Sequence, residues 1–326
     1  MPTPARKLVV TGATGKQGGA LIRALLAQQQ PTQPFAIYAL TRDKTSRSAQ
    51  ALAAEPNVHV IQGDFADPEA VFRQLGGKPW GLFSVTMPMD ARREEREGKG
   101  MVRAACEAGV EQYVPTFLSL WYWSRLVNRF SIVFTATERG GQTKSDTTPT
   151  SVPHFRSKYN IEREIQARSK ASPQQVTWTF LRPVAFFENL SDNFFGRGYV
   201  AMWRLNGLDR PLQQVSTTDI GLIAADAFLH ADSEEYRNKV ISLAGDELSP
   251  NDAAKVFKEV TGQELPYTYP VVGRLLRWAA KEQLGLMFDW FVTDDFGVDV
   301  KALRKRYPFM QDFRTWLAEE SAWKKA

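Results

Sequence analysis

Three glycines, an arginine and a histidine–lysine pair are the residues whose types and spacing could do chemistry. Gly12, Gly15 and Gly18 follow G-x-x-G-x-x-G within Thr11-Gly12-Ala13-Thr14-Gly15-Lys16-Gln17-Gly18. Such a turn offers backbone N–H groups and the positive end of a helix dipole to a pyrophosphate. Gly12 permits the tight turn, Gly15 lets phosphates approach the backbone, and Gly18 lets helix and strand pack closely. Arg42 comes 24 residues after Gly18, with Lys44 and Arg47 close behind. A guanidinium there accommodates a ribose 2′-phosphate bidentately, where an acid would hold a 2′-hydroxyl. NADP(H) is therefore the expected cofactor, with Asp43 the residue that argues for NAD(H). His154 and Lys158 stand at i and i+4, so they share one helical face. An imidazole with an ordinary pKa near 6.5 donates a proton near neutrality if it faces a cleft, although a hydrogen-bonded structural histidine fits as well.

Those residues need strands and helices to hold them. Lys7-Leu8-Val9-Val10 is a short β-branched run ahead of the glycines, and Leu21, Ile22, Leu25 and Leu26 recur after them at helical spacing. Phe35 to Leu40 is a second strand ending at Arg42, and Val58 to Gln62 a third, whose end places Asp64 and Phe65 beside an adenine. A fourth strand covers residues 81–86, a helix about 93–108, and a fifth strand 112–116. Alternation of short strands with helices implies α/β architecture, a Rossmann-type doubly wound parallel sheet with helices on both faces. Residues 117–153 show no clean periodicity and read as an irregular, lid-like insertion, with Trp121-Tyr122-Trp123 either lining a substrate pocket or packing on the body. A helix resumes at His154, a sixth strand covers 176–181, and Ser249-Pro250-Asn251-Asp252 opens a capped helix that Gly262 stops. The stretch from Leu275 to Phe291 is amphipathic, a helix covering the cleft or one packing on the core. The expected organisation is a nucleotide-binding domain over 1–185 and a smaller α+β substrate subdomain over 186–326, interleaved with it.

Composition narrows the function classes. With 326 residues, 43% hydrophobic and 24% charged, the chain has the balance of a globular protein with a large core. One cysteine, Cys106, excludes an internal disulfide, and three scattered histidines make a metal site an expectation of none. The net charge of +5 is dispersed, which mildly favours anionic ligands and gives no argument for nucleic acid. Residues 1–6 lack the apolar core of a signal peptide and no apolar run reaches membrane length, so a cytoplasmic location is expected, with the nucleus open to a regulator.

Taken together, Thr11 to Gly18, Thr41-Arg42-Asp43, Gly63-Asp64-Phe65, His154-Phe155-Arg156-Ser157-Lys158, Leu181-Arg182-Pro183 through Phe187-Glu188-Asn189-Leu190 and Thr218-Asp219-Ile220-Gly221 resemble the NmrA-like branch of atypical short-chain dehydrogenases, near the isoflavone-reductase-like enzymes. The resemblance implies NADP(H) contacts from Gly12, Ala13, Thr14, Gly15, Lys16 and Gln17, and from Arg42, Asp64 and Phe65. It implies further contacts from Thr86, Lys158 and the segment Phe186, Phe187, Glu188 and Asn189. Arg96 looks like the family's basic residue ahead of a Gly-Lys pair. Ordinary short-chain dehydrogenases carry Tyr-x-x-x-Lys, in which the tyrosine donates the proton; here His154 holds that place. Thr116 sits where the isoflavone-reductase type has a Pro-Ser pair, leaving a hydroxyl for substrate or nicotinamide, or for its own backbone. Two functions follow as expectations. One is a reductase passing hydride from NADPH to a small carbonyl, imine or activated alkene, with Lys158, His154 and Thr116 as catalytic residues. The other is a non-catalytic NADP(H) sensor that binds partner proteins according to cofactor state.

Overall fold

A computed structural model describes residues 5–28, 35–86, 90–109, 130–172 and 176–323. Strand β1 (Arg6–Val10) leads through the glycine turn to α1 (Lys16–Ala27), and β2 (Phe35–Thr41) to α2 (Arg47–Ala53). Next come β3 (Val58–Gln62), α3 (Pro68–Arg73), β4 (Gly81–Ser84) and α4 (Ala91–Gly109). Asp67 caps α3 through the Ala70 N–H, with Pro68 in the first turn where no N–H is missed. Strand β5 (Phe130–Thr135), α5 (Gln142–Thr147), α6 (Pro153–Ala171) and β6 (Val176–Pro183) complete the first half of the chain. The rest runs β7 (Ala185–Phe186), α7 (Phe194–Leu205), β8 (Leu212–Val215), α8 (Thr217–Leu229), β9 (Lys239–Leu243), β10 (Asp246–Leu248) and α9 (Pro250–Thr261). Helices α10 (Pro270–Ala279), α11 (Leu286–Thr293), α12 (Val300–Arg306) and α13 (Phe313–Glu319) close it, with a π-helical turn (Lys281–Gly285) joining α10 to α11.

The main sheet has seven parallel strands in the order β3-β2-β1-β4-β5-β6-β9, as the α/β pattern requires. Successive side chains point to opposite faces. Leu8, Val10, Phe83, Val133 and Leu181 join the core beneath α1 and α8, while Val9, Leu82, Ile132, Phe134 and Phe180 join the core beneath α4 and α6. A second, three-stranded sheet, β10-β8-β7, belongs to the C-terminal part of the chain. No helix of the described residues is long and apolar enough to cross a membrane.

The fifth strand is a correction. Residues 112–116, expected to form it, lie outside the described residues, as do Thr116 and the Trp121–Trp123 cluster. The strand between β4 and β6 is Phe130–Thr135, inside the stretch expected to be irregular, and α5 follows it. All six β5 residues are buried, so this strand shows no apolar–polar alternation to read.

Candidate dinucleotide site and the Glu94–Lys158 pair

The glycine turn is held from both sides. Thr11 N–H donates to the Phe83 carbonyl at 3.0 Å, and its hydroxyl accepts the Val85 N–H at 2.9 Å, tying the end of β1 to the residues after β4. Gly12 has φ +59°, a left-handed conformation that glycine takes without strain. A Cβ on Gly18 would lie 2.4 Å from the Gly12 carbonyl oxygen and 2.7 Å from its carbon, so α1 rests directly on the turn. Gly15 is the N-cap of α1, and no side chain caps the helix. The first N–H groups of this 12-residue helix therefore face outward with their dipole available to an anion. Gln17 adds a buried side-chain oxygen with no partner. Lys16 spans from the turn to the 187–189 segment, its ammonium donating to the Glu188 carbonyl at 3.0 Å.

At the end of β2, Arg42, Lys44 and Arg47 are exposed and make no ion pair or side-chain hydrogen bond with the described residues. Asp43 behaves differently. Its carboxylate accepts the Thr45 N–H at 2.8 Å and the Thr45 hydroxyl at 2.6 Å, which hold it below the usual carboxylate range. The acid that argued for NAD(H) is spent on its own turn. Asp64, past β3, likewise accepts the Ala66 N–H at 2.8 Å, and Phe65 lies half-buried against the α4-side core.

Where α4 crosses α6, the helices approach so closely that a Cβ on Gly98 would lie 2.5 Å from Ile161 Cδ1. Here the Lys158 ammonium pairs with Glu94 Oε1. Thr86, just past β4, donates its hydroxyl to the same oxygen at 2.6 Å and receives Lys158 Nζ at 3.2 Å, while Ser157 donates to Oε2. Burial pushes the Glu94 carboxyl up, but the Lys158 charge and these donors outweigh it and hold it below the usual range. One turn further along α6, fully buried Glu162 accepts Arg182 Nε and Arg139 Nη2, each at 2.8 Å. That second pairing fixes the rotation of α6 about its axis.

Several expected site residues take other places. His154 does share a face with Lys158, but it is buried beside Phe155, ring centroids 4.7 Å apart, and Phe155 packs edge-on against Trp290 at 5.3 Å. Burial first, then the Lys158 charge, lower its pKa to about 4, and Nδ1 has no partner. At that pKa the imidazole is uncharged at pH 7, so the imidazolium acid expected from the sequence is not the form this burial favours. Arg96 is exposed and unpaired among the described residues; two residues along a helix turn about 200°, so it faces away from Glu94. Phe187 is buried against Phe313 and Trp316, and Glu188 Oε1 accepts the Thr217 N–H at 2.7 Å and its hydroxyl, while Oε2 has no partner. Phe186 and Asn189 remain half-buried beside them. Glu94 and Ser157 were missed in the sequence. The legible signal was an acid heading the buried stripe Glu94, Gly98, Met101 and Ala105.

A family model described as "NmrA-like family" matches residues 4–121 and 134–316. The NmrA-like family domain-containing oxidoreductase malD of Malbranchea aurantiaca is 27% identical, over 94% of this chain and 91% of its own. Among solved structures, the negative transcriptional regulator NmrA in complex with NADP superposes with a TM-score of 0.67 at 18% identity, covering 98% of this chain and 96% of NmrA. The NADPH-dependent quinone oxidoreductase QOR2 of Escherichia coli, complexed with NADPH, gives 0.63 at 19% identity, covering 94% and 97%. These two share the fold, and the family match spans nearly the whole sequence: this chain belongs to the NmrA-like family.

Proposed function

We propose that the protein is an NADP(H)-dependent oxidoreductase that reduces a small carbonyl, imine or activated alkene. The observation that carries the reading is the uncapped, glycine-lined N-terminus of α1 beside an exposed Arg42-Lys44-Arg47 cluster that has no acidic partner among the described residues. The cradle fits the cofactor, since Gly12, Gly15 and Gly18 let the turn close tightly on itself and on Val85 and present the uncapped N–H groups of α1 to an anion. NADPH supplies a hydride when bound. The chain binds it through the α1 N–H groups and Gly12 to Gln17, and Arg42 with Lys44 neutralises the 2′-phosphate. Asp64 and Phe65 border the adenine end, and Thr86, Lys158 and the backbone of 186–189 the nicotinamide end. With His154 neutral, Lys158 is the donor placed to hydrogen-bond or give a proton to the substrate oxygen or nitrogen that hydride transfer makes negative. The oxidoreductase relative named above supports this reading.

The sensor reading retains one specific support: the position of the usual tyrosine holds a buried, neutral histidine, and the lysine is tied to a carboxylate. NADPH oxidation followed across a panel of quinones, enones, aldehydes and imines separates the two. Turnover with any class supports the reductase. NADPH binding without turnover anywhere, together with a partner protein whose affinity depends on the cofactor's redox state, would establish the sensor instead.

A further inference from the structure

We infer that Glu94 is the residue that positions Lys158 and compensates its charge, so that the nicotinamide end of the site meets a neutral pair instead of a bare ammonium. The inference rests on the reading above, in which Lys158 borders the nicotinamide. A lysine side chain is long and flexible, and a site needing its ammonium at one height must fix it by contacts. Glu94 does so from inside the protein, its side chain fully buried and that of Lys158 11% exposed. Oε1 receives the ammonium and the Thr86 hydroxyl, the ammonium also donates to that hydroxyl, and the three groups form a closed ring. Oε2 receives Ser157, the residue next to Lys158, so the same carboxylate also anchors the local turn of α6.

The ring is registered to the phosphate cradle. Thr86 directly follows Val85, whose N–H is bonded to Thr11 at the head of the glycine turn. A short, fully bonded path thus runs from the cradle through Thr86 and Glu94 to the ammonium. Gly98, four residues after Glu94, keeps α4 against α6 so that the path can close.

The charge balance has a consequence that simple scaffolding does not. An oxidised nicotinamide carries one positive charge and a reduced one none. Removing the Glu94 charge leaves the ammonium bare and penalises NADP+ selectively; removing Lys158 leaves a carboxylate and favours NADP+. Unit charges several ångströms apart at an effective dielectric near 20 shift a binding ratio by about five- to fiftyfold.

The test titrates wild type, Glu94→Gln, Lys158→Met and the double variant at pH 8, NADPH by fluorescence and NADP+ by displacement. The ratio of the NADP+ to NADPH dissociation constants is expected to rise about fivefold or more in Glu94→Gln. It should fall in Lys158→Met and return to within about twofold of wild type in the double variant. If Glu94→Gln does not fold, Lys158→Met carries the test with the opposite sign. Equal weakening of both forms, with the ratio fixed, is what a merely structural Glu94 would give and overturns the inference alone. A wild type that binds neither nucleotide overturns the NADP(H) reading and this inference with it.

Discussion

Asp219 should make the protein lose stability as pH rises, and replacing it by asparagine should abolish that loss. It sits in the first turn of α8, fully buried, with Oδ2 accepting the Gln311 N–H at 3.0 Å and Oδ1 without a partner. Burial raises its pKa to about 7, and Glu320 and Glu188 add to the rise against the Gln311 bond and Arg304. The folded value lies above an unfolded value near 3.9, so this group's stabilisation is complete below about pH 4 and is lost as pH climbs through 7. A rise of about 3 units at 1.36 kcal/mol each is about 4 kcal/mol in all. Between pH 5 and pH 8 the wild type should lose about 2–3 kcal/mol through this carboxyl, and Asp219→Asn none. Urea unfolding of both proteins at half-unit pH steps isolates the contribution, because titrating groups remote from Asp219 cancel in the difference, and Glu188 and Glu320, which couple to it, are read together with it. Parallel profiles from pH 5 to 8, or a variant less stable than wild type at pH 8, would refute the reasoning. The effect bears on function because α8 lies against α1, where a Cβ on Gly221 would stand 2.5 Å from Ala20 Cβ.

Arg42→Ala should weaken NADPH about ten- to a hundredfold and leave NADH nearly unchanged, as loss of a charge-assisted bidentate contact implies; calorimetric titration of both nucleotides checks it. Gly18→Ala should destabilise the fold by about 1–3 kcal/mol, since the added carbon meets only backbone atoms of the turn, and should weaken both nucleotides alike; thermal melting with and without NADP+ reads both effects. His154→Phe should change turnover less than about tenfold, short of the worth of a general acid, and the wild-type rate should show no break near pH 6.5; a break there that the variant abolishes would restore the histidine to the mechanism.

Much of the fold was legible because its signals are local. The β1 run, the glycine turn and the Leu21–Leu26 periodicity each lie within a dozen residues, and the structure places them as β1, turn and α1. The Ser249 capping box and the Gly262 stop are likewise short-range: Ser249 and Asp252 bond reciprocally, and Gly262 takes φ +76°. Strand β5 was not legible. Phe130-Ser131-Ile132-Val133-Phe134-Thr135 is buried on both faces, so its sequence lacks the alternation that marks a half-exposed strand. Its identity as the fifth strand depends on long-range pairing with β4 and β6.

The site divides along the same line. The expectation for Arg42 could be formed from the sequence because it follows from distance along the chain to the glycines. Glu94 could not, because its meaning is set by Lys158, 64 residues away, and by the close crossing of α4 and α6. His154 marks the subtler limit. Helical spacing correctly puts it on the face of Lys158, yet a shared face fixes direction and says nothing of solvation. Lys158 pairs directly with the Glu94 carboxylate, while His154 is enclosed beside Phe155, where burial and the Lys158 charge outweigh the pull of Glu94, and so stays neutral. The same four-residue step therefore yields a lysine paired with a carboxylate at one end and an uncharged imidazole at the other. What decides between them is the residue that α4 brings across, and that depends on the packing of the folded chain.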